Sequence, residues 1–166
     1  MMFTGMKKRS TWLAGVLMVA LLAGATSLLA ADKPAPDFTL QDTAGKNYSL
    51  SQFKGKVVVL NFFTIWCQPC REEMPDLSAI NNENKDKGVQ VLGICLNADP
   101  NQLRFFVKQM NLSYPILAGT DKVNQDYGSI IAVPTTFFIS KDGKITKKIE
   151  GSRTKADFLS MIKPLM

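Results

Sequence analysis

Cys67 and Cys70 stand two residues apart in the run Trp66-Cys67-Gln68-Pro69-Cys70. Two thiols at this spacing can close on each other, and the run stands where an apolar stretch gives way to a helix-like pattern. A helix N-terminus carries unpaired N–H groups and about half a positive charge. A thiolate placed there is stabilised, and a cysteine pKa of ~8.5 can fall to roughly 3.5–7.5. The thiolate is the species that attacks disulfides. The spacing therefore assigns Cys67, at the helix cap, as nucleophile and Cys70, one turn inside, as the residue that resolves a mixed disulfide. A structural bridge across two residues would constrain almost no chain. A structural zinc site needs four ligands, and Cys95 is the remaining cysteine.

Histidine is absent from the 166 residues. That excludes His-ligated zinc or copper, Ser-His-Asp and Cys-His catalytic pairs, and covalent haem through C-x-x-C-H, where this chain has Arg71. No metal or other cofactor is expected beyond the redox pair itself. Apolar residues make up 46% and charged residues 20%, which suits a packed core. The net charge is +6, of which Lys7, Lys8 and Arg9 supply half. The remaining basic residues are scattered, so no nucleic-acid partner is expected.

The elements that must position the pair are legible in outline. Lys56 to Phe63 is an apolar run expected to be a central strand buried on both faces. A helix is expected from about Pro69 to Asn84, with Pro at its first turn and a kink at Pro75. Val89–Leu96 reads as a second buried strand, with Cys95 buried and inert within it. Asn101–Met110 reads as a helix with Leu103, Phe106, Val107 and Met110 on one face. Short strands are expected at Phe38–Leu40, Tyr48–Leu50 and Tyr114–Leu117, and a short helix at Asp121–Tyr127. Thr135–Ile139 and Ile145–Glu150 read as a hairpin around Lys141-Asp142-Gly143. Thr154 caps a last helix ending near Lys163. Strands alternating with helices imply an α/β domain whose mixed sheet has helices on both faces.

Ahead of this domain, Ser10 to Ala31 carries no charge and follows the basic Lys7-Lys8-Arg9. The pattern is that of a signal peptide or a membrane anchor helix over residues 1–31, with the domain at 32–166. Ala23-Gly24-Ala25 offers a cleavage site. Either fate puts the domain in the periplasm or an equivalent extracytoplasmic space, soluble or held at the inner membrane by residues 10–31. Asp32 to Pro36 reads as a linker.

The chain resembles the thioredoxin superfamily, and within it the TlpA/ResA-like thiol–disulfide oxidoreductases. The resemblance is carried by VVVLNFFTIWCQPCREEMPDL (Val57–Leu77), VPTTFFISKDGKI (Val133–Ile145) and APDFTLQDTAGKNYSLSQFKGK (Ala35–Lys56). It implies a thioredoxin-like fold, a cis Pro134 packed on the Cys67 sulfur, and a substrate surface made by Trp66, Gln68, Pro69, Val133, Pro134 and Thr135. There the Val133 backbone would pair with an extended client segment. It also implies client proteins with cysteine pairs, apocytochrome c among them, and a membrane thiol carrier as electron donor. Two departures stand out. Asn61 occupies the place of a buried Asp that moves the proton of the inner cysteine in many thioredoxins, and Gln68 replaces the commoner Gly. Asp99 is the expected substitute proton carrier. Glu72 and Glu73 are alternatives, read as solvated helix residues. A thiol peroxidase with Cys67 as its peroxidatic residue is the competing activity, suggested by Thr64 three residues before Cys67. A copper-delivery role lacks the C-x-x-x-C and His it would need.

Overall fold

The structure is a computed structural model that describes residues 1–2, 33–97 and 99–166. The export segment read at 10–31 lies outside these residues. Among the described residues no helix is long and apolar enough to cross a membrane.

Strand β1 (Lys33–Pro34) leads into β2 (Thr39–Gln41) and β3 (Asn47–Ser49), which pair with each other as a small antiparallel hairpin. Asp42 makes their turn by accepting the Ala44 and Lys46 N–H groups on one carboxylate oxygen. Next come β4 (Val57–Phe63), α1 (Gln68–Asn84), β5 (Val89–Cys95), α2 (Pro100–Met110), β6 (Ile116–Ala118) and α3 (Asp121–Asp126). The chain finishes with β7 (Thr135–Ile139), β8 (Lys144–Glu150) and α4 (Lys155–Ile162). The main sheet runs β1-β8-β7-β4-β5-β6. Strands β4, β5 and β6 are parallel, while β7 runs antiparallel to β4 and β8 antiparallel to β7. This is the mixed α/β sheet expected from the alternation of strands and helices.

Every residue of β4 is buried, as its unbroken apolar run requires. Alternate residues feed two cores. Val57, Val59 and Phe63 pack with Met74, Leu77 and Ile80 of α1, Leu103 and Phe106 of α2, and Phe158 and Ile162 of α4. Val58, Leu60 and Phe62 pack on the other face with Leu40, Val123 of α3 and Tyr127. Helices therefore lie on both faces. Gly93 is the close approach in this packing, because a Cβ there would stand 2.6 Å from Ile116 Cδ1 and 3.2 Å from Tyr114 Cε2.

All four α-helices of the described residues begin on side-chain caps, with the Thr120 hydroxyl accepting the Val123 N–H at the start of α3. Cys67 caps α1, Asp99 caps α2, and Thr154 makes a reciprocal capping box with Asp157 on α4. Pro75 lies within α1, which runs on to Asn84. Lys33–Pro34, expected to be linker, instead pairs with Ile145 and Lys144 of β8. Such a two-residue strand has no periodicity to read.

Candidate active site

Strand β4 ends at Phe63, and the chain turns through Thr64–Trp66 to place Cys67 at the N-cap of α1. The Cys67 N–H bonds the Thr64 carbonyl at 3.2 Å. The Cys67 sulfur accepts the Cys70 N–H at 3.2 Å, so the helix tip spends one of its orphan donors on sulfur. Cys67 and Cys70 are joined as a disulfide with Cα atoms 5.3 Å apart. Cys67 is 9% exposed and Cys70 0%, so only the first sulfur can be met from outside.

The loop before β7 forms the opposite wall. The Val133–Pro134 peptide is cis, and the Val133 carbonyl oxygen lies 3.7 Å from Cys67 Sγ. Thr135 is buried, and its hydroxyl donates to the Ala132 carbonyl at 2.7 Å, which ties the loop down. Trp66 is 63% exposed and Ile131 stands fully out. Gln68 and Pro69 are exposed at the start of α1, where Gln68 donates to Glu72. The Arg71 guanidinium lies over the Phe106 ring, 5.6 Å from its centroid.

Behind Cys70 the structure departs from expectation. Asp99 is exposed, and its carboxylate is engaged in capping α2, accepting N–H groups from Asn101 at 2.8 Å and Gln102 at 3.1 Å. Asp-Pro at a helix start is a cap followed by a first-turn proline, and that local role accounts for Asp99. The buried carboxylate is Glu73, three residues past Cys70 on α1 and 3% exposed. It is not the solvated residue its charge suggested. Asn61 Nδ2 donates to Glu73 Oε1 at 2.8 Å and to Thr136 Oγ1 at 2.9 Å. The Arg153 N–H donates to Glu73 Oε2 at 3.1 Å. Burial raises the Glu73 pKa from 4.5 to about 7, against the lowering effect of these two hydrogen bonds. A carboxyl that titrates near neutrality can take and return a proton. The sequence held one sign of this. Glu73 falls on the stripe of Cys70, Leu77 and Asn81 that faces the core, where a solvated residue has no place.

Cys95 is buried at the end of β5, and burial pushes its thiol up to about 12. It stays a protonated packing residue. Among the described residues no group of His, Cys, Asp or Glu is placed to hold a metal ion.

Residues 31–148 match the AhpC/TSA family. The chain belongs to this family. Its similarity extends to named thiol–disulfide oxidoreductases. The ResA thiol–disulfide oxidoreductase of Bacillus subtilis strain 168 is 34% identical over 148 residues, covering 87% of this chain and 82% of the relative. The crystal structure of a thiol:disulfide interchange protein from Chlorobium tepidum TLS superposes with a TM-score of 0.77 at 31% identity, over 83% of this chain and 99% of that one. A secreted Mycobacterium tuberculosis disulfide oxidoreductase, described as homologous to E. coli DsbE, superposes with a TM-score of 0.68 at 26% identity, over 77% and 96%. The protein is thus a ResA/DsbE-like thiol–disulfide oxidoreductase of thioredoxin-like fold, with Cys67 and Cys70 as its C-x-x-C pair. Its substrates are proteins bearing thiols or disulfides.

Proposed function

We propose that this oxidoreductase reduces the disulfides of exported client proteins, with Cys67 as nucleophile, Cys70 as resolving thiol and Glu73 as the group that takes the Cys70 proton. One observation carries the reading: the sulfur of the pair that can be met from outside sits on the tip of α1, faced by the Val133 carbonyl, with a buried near-neutral carboxyl one turn behind its partner. In the dithiol form the Cys67 thiolate attacks one sulfur of the client disulfide. The client's other sulfur leaves as a thiolate and takes a proton from solvent. Cys70 then passes its proton to Glu73, and its thiolate attacks Cys67. The Cys67–client bond breaks, the second client sulfur leaves as a thiolate, and the Cys67–Cys70 disulfide remains. Two electrons have moved to the client. Glu73 returns its proton to solvent.

The exposed Trp66, Gln68, Pro69 and Ile131, with the Val133-Pro134-Thr135 loop, supply the client-facing surface, along which an extended segment pairs with the Val133 backbone. Residues 1–31 act as signal peptide or anchor and carry the domain outside the cytoplasm, as their charge-free run after Lys7-Lys8-Arg9 supports. Clients there include proteins that need a reduced cysteine pair, apocytochrome c among them. A membrane thiol carrier restores the dithiol. Asp99 has no part in the proton path.

The decisive experiment is a trap. Cys70→Ser leaves the attacking sulfur and removes the resolving one, so the variant accumulates as a mixed disulfide through Cys67. Non-reducing gels and mass spectrometry of the exported fraction then name the clients. Absence of any disulfide-linked adduct on Cys67 would overturn the reading. The peroxidase activity is tested in the same preparation. Hydrogen peroxide is expected to disappear no faster with the dithiol protein than with its Cys67→Ser variant.

A further inference from the structure

Among the described residues three buried side-chain atoms have no hydrogen-bond partner: Asn61 Oδ1, Thr64 Oγ1 and Tyr114 OH. A buried polar atom left unpaired is costly and calls for an explanation. Two of the three belong to residues that flank Gly93. Asn61 of β4 lies opposite Gly93 of β5 in the parallel ladder, where strands are about 4.8 Å apart. A Cβ on Gly93 would stand 3.2 Å from Tyr114 Cε2, the ring carbon beside the one that bears the hydroxyl. The Tyr114 ring therefore shares with Ile116 and Phe63 the space that glycine leaves, on the α1 face of the sheet from which Asn61 also reaches Glu73. The two orphans are complementary, because a phenol donates and an amide oxygen accepts. The other end of the same amide, Asn61 Nδ2, already donates to Glu73.

We infer that Tyr114 is a positioning residue for Glu73: its hydroxyl donates toward Asn61 Oδ1 through a bridging water, and so strengthens the Asn61 hydrogen bond that holds the Glu73 carboxylate. Chains of hydrogen bonds polarise one another in this way. The inference rests on the proposed proton role of Glu73. Tyr114 is 4% exposed, and its phenol is pushed up first by burial and then by the charge of Glu73, which puts the two groups within electrostatic reach. The other groups around Glu73 are Glu72 and Asp76 on its own helix, and Ser152, Arg153, Thr154 and Asp157 from the segment leading into α4. None of them belongs to the strand side, where Tyr114 and Asn61 act.

The test is Y114F with the Glu73 side-chain carboxyl followed by carbon-13 NMR across pH, beside the pH–rate profile of client release from the Cys67 mixed disulfide. Losing the donor weakens the hold on the ionised carboxylate. Both midpoints are expected to rise by about half a pH unit, a roughly threefold loss of rate on the acid side and none above pH 9. 3-Fluorotyrosine, a better donor of nearly the same shape, incorporated at position 114 alone by nonsense suppression, is expected to move them the other way from the unlabelled protein. This second arm holds even if Y114F folds poorly. Midpoints unchanged in both arms would overturn the inference. If E73Q itself released client at the wild-type rate, the Glu73 reading would fall instead, whatever Tyr114 did.

Discussion

Cys67→Ser is expected to end disulfide exchange, with insulin reduction falling at least about a thousandfold. The sulfur at the head of α1 is the only one of the pair that a client can reach, since Cys70 is fully enclosed. A serine hydroxyl stays protonated near neutral pH and is no nucleophile towards sulfur. Nor can the helix tip rescue it, because a contribution of ~0.3–1 kcal/mol is small beside the gap between a hydroxyl and a thiol. Turbidity from precipitating insulin B chain, with dithiothreitol as electron source, measures the rate. Cys95→Ala serves as the control and keeps the rate, because that thiol is buried and remains protonated. Activity retained in Cys67→Ser would move the nucleophile to Cys70 and undo the order of steps.

Glu73→Gln is expected to slow the second step and spare the first. A positioned base is worth about 10²–10⁴-fold, so release of client from the mixed disulfide should drop by at least about a hundredfold at pH 7. Attack of Cys67 on the client should hardly change. Rapid-quench gels that separate mixed disulfide from product distinguish the two. The wild-type profile for release should climb through pH 7, where Glu73 titrates, and that limb should vanish in the variant.

The same substitution has a signature in stability. The folded-state pKa of about 7 lies above the ordinary 4.5, so the folded chain keeps this proton longer than the unfolded chain does. The stability it confers is complete below pH ~4.5 and is lost as pH rises through 7, a total of roughly 3 kcal/mol. Glutamine does not titrate. Urea melts at pH 5 and pH 8 should therefore show E73Q gaining on the wild type at the higher pH. A gap independent of pH would mean that Glu73 ionises as freely as an exposed carboxylate.

Much of this was legible in the residues because it is local. An apolar run too long to be half-exposed must be a central strand, and β4 is one. A cysteine just before a proline-led helix must sit on its tip, and Cys67 does. Pro100 after Asp99 carried an equally local message, that of a helix cap, and reading Asp99 as a proton carrier overlooked it. Glu73 was harder, since its burial is not a property of α1. It follows from the segment before α4 lying across that helix, where the Arg153 N–H meets Glu73 and the Lys155 N–H meets Asp76 at 2.8 Å. These partners are about eighty residues away in the chain, and no window of sequence contains both. The glutamate's phase on the apolar stripe was the one signal in reach. Likewise β1 exists only because β8 offers it an edge.

That two-residue strand has a consequence for a protein whose work is to meet unfolded chains. Half-folded clients present bare backbone that seeks any open flank to extend into cross-strand aggregates. Here Lys33 and Pro34 occupy one end of the outermost long strand, and a proline has no N–H with which to recruit a further neighbour. The rest of that border carries Lys147, Lys148 and Glu150, charges that a stacked strand would have to strip of water. The molecule can hold sticky cargo at its sulfur while this one border of the sheet stays shut to it.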